Sequence, residues 1–156
     1  MSGWGASNSM VRIAILNGPN LNLLGVREPE LYGRESLSDV ERTLRAVAAE
    51  IGVEIEFAQK NGEGELIDLI HGLRGKVAGA VVNAGAYAHS SLAIRDALVG
   101  SSIPFVEVHI SNVYAREAER RHSMLSAAAV GVVCGLGTFG YEAALRGLCR
   151  KLSAGV

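Results

Sequence analysis

Short apolar runs alternate along this chain with longer stretches of helical period. Residues 11–16, 53–58, 77–83, 104–110 and 130–134 are rich in Val, Ile and Ala. Short runs of that composition read as strands buried on both faces. Helical periodicity fills the intervals between them. From Ser36 to Ile51, positions Val40, Leu44, Val47 and Ile51 share one face, the stripe of an amphipathic helix. Ser36 followed by Asp39 forms a capping pattern at its head, and Gly52 stands where a helix is stopped. The spacing predicts further helices over 64–73, 90–98, 115–121 and 139–152.

Five doubly buried strands separated by helices predict a parallel sheet with right-handed crossovers and helices on both faces. This is the three-layer α/β/α, doubly wound class. Neither a repeat nor a linker divides the pattern, so residues 11–156 read as a single domain. Residues 1–10 lack both Lys/Arg and an apolar core, do not match a signal peptide, and are expected to form a disordered tail.

Composition narrows the function classes. A chain of 156 residues buries roughly 68–70% of its unfolded surface, enough to hold a core without disulfides or a structural metal. Cys134 and Cys149 lack the paired spacing of zinc or dithiol sites and read as buried free thiols. Fifteen Lys plus Arg against sixteen Asp plus Glu give a net charge of −1. With no long basic run, a nucleic-acid partner is not expected. No segment approaches the roughly 18 apolar residues of a membrane helix. A cytoplasmic protein acting on a small molecule is the expectation.

In doubly wound sheets ligands bind beyond the carboxyl ends of the strands, so the residues after each strand are the functional candidates. The first strand runs into Asn17-Gly18-Pro19-Asn20, the third into Asn83-Ala84-Gly85-Ala86, and the fourth into His109-Ile110-Ser111-Asn112. Asn-Gly alone is an ordinary turn signal. Three polar termini at one sheet edge instead offer donors for a polar ligand or a developing oxyanion.

The connection from Gly18 to Gly33 exceeds the two to six or so residues usual at such positions. It carries Arg27 and Tyr32 between Gly25 and Gly33. Two readings stand: a lid that delivers both side chains to a ligand, or a loop with Arg27 solvated and Tyr32 packed at its root. A tyrosine phenol, ordinarily titrating near pH 10, serves as a base near neutrality only beside a cation. A charge about 4 Å away is worth about 4 kcal/mol at an effective dielectric of about 20. Arg116 and Arg120 are four apart and, on the predicted helix, share a face. They form either a solvated basic face or a grip for an anionic or polyhydroxylated ligand. His89, at the head of the fourth predicted helix, adds a donor or acceptor at the same edge. His71 and His122 read as structural or solvent-facing.

Several chemistries do not fit. The first strand-to-helix turn lacks the glycine spacing of a phosphate or dinucleotide loop. Gly135-Leu136-Gly137-Thr138-Phe139-Gly140 matches a Gly-x-Gly-x-x-Gly pattern, but follows the last strand and reads as close helix packing. No Gly-x-Ser-x-Gly elbow occurs. Lys60, Lys76 and Lys151 lie outside apolar segments, which disfavours imine chemistry.

On these residues the chain resembles the type II 3-dehydroquinate dehydratases from Arg12 to Leu152. The resemblance is carried by Ile15-Leu16-Asn17-Gly18-Pro19-Asn20-Leu21-Asn22, by Arg27-Glu28-Pro29 with Tyr32-Gly33, and by Asn83-Ala84-Gly85-Ala86-Tyr87 with His89. Glu107-Val108-His109-Ile110-Ser111-Asn112, Arg116-Glu117 and Arg120-Arg121-His122-Ser123 complete it. It implies a flavodoxin-like fold, a homododecamer built as a tetramer of trimers, and cofactor-free anti elimination of water from 3-dehydroquinate to 3-dehydroshikimate, a shikimate-pathway step. By position it implies Tyr32 as the base at C2, Arg27 as the neighbour favouring its phenolate, and Asn20 as the residue orienting a water at the enolate oxygen. His109 would be the general acid for the C1 hydroxyl, aided by Asn83 and oriented by Glu107. Ile110 and Ser111 would hold the substrate carboxylate, and His89 and Arg120 the ring hydroxyls. Arg116 resembles a lid-side arginine, and Asp96 a residue reaching the site of an adjacent subunit. Lys60 and Ala88 depart from the family pattern, which commonly has serine and threonine there. The competing expectation is a noncatalytic flavodoxin-like module that binds a small anion.

Overall fold

Ile13 and Ile15 turn to one side of the first strand and Ala14 and Leu16 to the other, and all four are buried. That strand therefore needs cover on both faces, and the sequence supplies it as amphipathic helices. In the computed structural model, which describes residues 10–26 and 28–155, the strands are β1 (Arg12–Asn17), β2 (Glu54–Gln59), β3 (Gly79–Asn83), β4 (Phe105–His109) and β5 (Gly131–Cys134). They form one all-parallel sheet in the order β2-β1-β3-β4-β5. The helices are α1 (Pro29–Tyr32), α2 (Leu37–Ile51), α3 (Glu63–Leu73), α4 (Leu92–Gly100) and α5 (Phe139–Ser153). The tail expected over residues 1–10 falls, except for Met10, outside the described residues, as does Arg27.

Two cores result. Val40, Leu44 and Val47 of α2 and Leu145 and Leu148 of α5 pack on the face bearing Ile13, Ile15, Val81 and Val106. Leu66 and Ile70 of α3 and Ile94 and Leu98 of α4 pack on the face bearing Ala14, Leu16, Val82 and Phe105. This is the α/β/α, flavodoxin-like arrangement the apolar pattern and the resemblance pointed to. Each fully buried Leu or Ile contributes about 1.5–3 kcal/mol. The α2 cap forms as expected: Asp39 N–H donates to Ser36 Oγ at 3.1 Å, and Ser36 N–H donates to Asp39 Oδ2 at 3.0 Å. Gly52, at φ 80°, ends that helix in the left-handed region, where glycine carries no Cβ penalty.

The strand order places the site. From β1 the chain moves outward to β2 and then back across to β3, so the ends of β1 and β3 form the switch point of the sheet. Asn17 and Asn83 are register partners there. The turns beyond them are pressed together: Gly18 N–H donates to Asn83 O at 2.8 Å, and a Cβ on Gly18 would lie 2.2 Å from Ala84 O. Only glycine permits that approach.

Five expectations need correction. The edge strands β2 and β5 are not buried on both faces: Glu54 and Glu56 are exposed on β2, and Val132 on β5. The helix predicted over 115–121 is instead two single 3-10 turns, Val113–Ala115 and Ala118–Arg120, with Arg116 extended between them at φ −101°, ψ −175°. Side chains take the backbone partners a helix would use: Tyr114 N–H donates to Asn112 Oδ1 at 3.1 Å, and Arg121 Nε donates to Arg116 O at 2.7 Å. Arg116 and Arg120 thus share no helix face. His89 ends a 3-10 turn, Gly85–His89, rather than heading α4, which starts after its Ser91 cap. The long connection contains the short helix α1, led by Pro29, a residue pre-shaped for a first helical position. Cys134 is half-buried at the end of β5, and only Cys149 is buried.

Candidate active site

Asn20, Tyr32, Asn83, His89, His109, Ile110, Ser111, Arg116 and Arg120 line one pocket, together with Pro19, Gly85 and Val113. The wall is built from the ends of β1, β3 and β4, the root of the long connection, and the 3-10 segment after β4. Of the other sequence candidates, Glu107 lies beneath His109, and Asp96 is exposed on α4 and does not line this pocket.

Strand period two puts Glu107 and His109 on the same face of β4. Both are buried, at 1% and 6% exposure. His109 Nε2 donates to Glu107 Oε2. Ser123 Oγ donates to the same oxygen at 2.8 Å and Ser126 Oγ donates to Oε1 at 2.7 Å. Burial raises the Glu107 carboxyl, but the hydrogen bonds from His109, Ser126 and Ser123 together outweigh it and hold the group below the usual glutamate range. Glu107 is therefore a carboxylate that only accepts, which leaves Nδ1 as the ring atom of His109 available to a ligand.

His89 stacks on His109 with ring centroids 5.7 Å apart and planes inclined by 22°. Its Nδ1–H donates to the His122 carbonyl at 2.7 Å. Burial pulls His89 below the ordinary imidazole value, only partly offset by that carbonyl, and the positive fields of His109 and Arg120 act in the same direction as burial. The neutral ring then offers Nε2 as an acceptor. Arg120 Nε donates to Glu117 Oε1 at 2.5 Å.

Arg116 Nη1 donates to the Tyr32 hydroxyl oxygen at 2.6 Å and to Ser111 Oγ at 3.4 Å. The guanidinium carbon stands 5.4 Å from the Tyr32 ring centroid. The contact of Arg116 with the phenol oxygen is a charge-assisted hydrogen bond. Asn20 adopts the left-handed region at φ 68°, unusual for a residue with a Cβ, and its N–H donates to Asn61 Oδ1 at 3.0 Å.

Three contributors were given no role by the sequence reading. Ser123 and Ser126 carry no signal beyond the motif in which Ser123 stands. Tyr141 stands on α5 among residues of helical period. Among the described residues, no group of three or more His, Cys, Asp or Glu could hold a metal ion, and no helix is long and apolar enough to cross a membrane.

The geometry pairs a cation-supported phenol with a carboxylate-supported imidazole in one pocket, and similarity to known proteins follows the same line. The family model described as dehydroquinase class II matches residues 11–149. The chain is 59% identical over 140 residues to a 3-dehydroquinate dehydratase of Gemmatimonas aurantiaca, covering 90% of this chain and 92% of that one. It is 56% identical over 143 residues to catabolic 3-dehydroquinase 2 of Aspergillus flavus, covering 92% and 95%. The crystal structure of type II dehydroquinase from Propionibacterium acnes superposes with a TM-score of 0.85 at 41% identity, covering 91% and 99%. The chain belongs to the dehydroquinase class II family, the type II 3-dehydroquinate dehydratases.

Proposed function

We propose that this pocket removes water from 3-dehydroquinate by anti elimination through an enolate, giving 3-dehydroshikimate. The observation that carries the reading is the pair of supported groups in one pocket, Tyr32 with Arg116 and His109 with Glu107. Abstraction of a proton α to a ketone needs a base, a stabiliser for the enolate oxygen, and an acid for the leaving hydroxyl. Tyr32, as phenolate, takes the C2 proton, and the C–H electrons form the enolate. Asn20 orients a water toward the enolate oxygen. The enolate then re-forms the ketone, the C1–C2 double bond closes, and the C1 hydroxyl leaves as water with a proton from the imidazolium of His109. Tyr32 has gained one proton and His109 has lost one, so the cycle resets by returning that proton.

The remaining side chains bind and orient. Glu107 stabilises the imidazolium and fixes its ring plane, and Asn83 assists at the departing oxygen. The backbone N–H groups of Ile110 and Ser111, with the serine hydroxyl, receive the substrate carboxylate. His89 and Arg120 receive ring hydroxyls. Arg27 supplies further positive charge on the lid, and Asp96 extends to the site of a neighbouring subunit in a tetramer of trimers. We place the reaction in the shikimate pathway in the cytoplasm, where no cofactor is needed because enolate chemistry is supplied by the substrate's own ketone.

Adding 3-dehydroquinate to the purified protein is expected to produce the ultraviolet absorbance of the conjugated enone, and Tyr32→Phe is expected to abolish it. Turnover is expected to survive borohydride in the presence of substrate, which would destroy a lysine imine route. An inert wild type that still binds the ligand would favour the anion-binding module.

A further inference from the structure

Asn17 and Asn83 end neighbouring strands in register, and both are buried. The first turn of α5 inserts the hydroxyl of Tyr141 between them. Tyr141 has no exposed surface. Its hydroxyl donates to Asn17 Oδ1 at 2.7 Å and accepts from Asn83 Nδ2 at 2.8 Å.

The direction of every bond in this bridge is determined from its far end. Asn17 Nδ2 donates to Ala58 O at 3.1 Å, so Asn17 must turn Oδ1 toward Tyr141. A tyrosine hydroxyl has one proton, and here it is committed to Asn17. Asn83 can meet the remaining lone pair only with its NH2 group. Its Oδ1 then accepts from Gly85 N–H at 3.2 Å. One Nδ2 proton goes to Tyr141, and the other is what Asn83 offers to the pocket it lines. Burial pushes the Tyr141 phenol far above its ordinary range, so the hydroxyl keeps its proton at any working pH.

We infer that Tyr141 is a positioning residue for the reaction, holding the Asn83 amide so that an N–H donor faces the substrate. Without the hydroxyl, an amide flip would present a carbonyl oxygen instead and reverse the sign of the dipole at the reacting oxygen. The kinetic side of the inference rests on the dehydration proposed above; the orientation of the amide does not.

Tyr141→Phe keeps the ring and removes the hydroxyl. Turnover of 3-dehydroquinate by this variant is expected to fall about tenfold in kcat, with KM within about twofold. The double variant with Asn83→Ala is expected to turn over no more slowly than Asn83→Ala alone, because the two residues act as one unit. In ligand-free protein, the Asn83 side-chain NH2 pair in a 1H–15N spectrum, assigned by its loss in Asn83→Ala, is expected to shift. A merely structural role would leave the kcat of folded Tyr141→Phe unchanged whatever its melting temperature, and a role independent of Asn83 would multiply the losses in the double variant. Those results, or an unmoved Asn83 NH2 pair, overturn the inference. If wild type is inert toward 3-dehydroquinate, the dehydration reading falls, and the ligand-free spectrum still decides the amide orientation. If Tyr141→Phe does not fold, Asn17→Leu/Tyr141→Phe removes one of the two orphaned polar groups and is judged by the same comparisons.

Discussion

Arg116 donates to the phenol oxygen of Tyr32 across 84 residues of chain, at 2.6 Å. The resemblance had pointed to Arg27 as the cation beside this tyrosine; Arg27 lies outside the described residues, and Arg116 donates to the phenol oxygen. The contact is also the meeting of two segments, the connection ending in α1 and the 3-10 segment after β4. Each reaches the pocket only because the sheet brings the ends of β1 and β4 to one edge.

Loss of this cation should therefore act on catalysis rather than on folding. Arg116→Ala is expected to lower kcat by about two orders of magnitude, the usual cost of removing one donor from a developing anion. Its melting temperature should stay near that of wild type. Arg116→Lys keeps the charge without the planar fork and should recover only part of the rate. Steady-state kinetics with both variants checks this; an Arg116→Ala enzyme with unchanged kcat would remove Arg116 from the mechanism.

The buried carboxylate gives a pH dependence with a defined sign. Glu107 in the folded protein lies below its ordinary value of 4.5, so the unfolded chain binds its proton more readily. Its stabilisation is full above pH 4.5 and is lost as pH falls through the lower folded value. Glu107→Gln cannot ionise. Denaturant unfolding of both proteins between pH 7 and pH 3 should show wild type losing stability relative to the variant at the acid end. A constant difference across that range would contradict the assignment of Glu107 as an ion.

His89 should titrate below its ordinary value of 6.5 because burial disfavours the cation. A lowered histidine also contributes stability that is present above 6.5 and lost as pH falls through the folded value. Following the His89 ring carbons by NMR from pH 8 to pH 4 tests this directly. A midpoint at or above 6.5 would mean that burial does not disfavour the charged ring.

Glycine substitutions separate close approach from mere conformational freedom. Gly18→Ala places a methyl 2.2 Å from a backbone oxygen, and is expected to destabilise the protein by at least about 3 kcal/mol with loss of activity. Gly72→Ala lies within α3, with nothing within 4 Å of the added carbon. It is expected to stabilise by about 0.5–1 kcal/mol through helix propensity. Chemical denaturation of the pair gives both signs in one experiment.

Periodicity alone carried the layered fold: the apolar runs at 11–16 and 77–83 and the α2 stripe Val40, Leu44 and Val47 each appear as the buried faces they imply. Such burial is a property of neighbours along the chain, because strand period and helix period are local. The candidates at the ends of β1, β3 and β4 were legible for a related reason, since parallel topology places those ends together. The helix expected over 115–121 breaks into two 3-10 turns because Arg116 is extended between them and its carbonyl accepts from the Arg121 side chain, a choice no periodicity records. The supporting contacts were invisible for the same cause at longer range. Arg116 to Tyr32, Ser123 and Ser126 to Glu107, and Tyr141 to Asn17 and Asn83 join residues from 16 to 124 positions apart. Which of many available donors satisfies a buried acceptor is decided only when packing removes water from all the others.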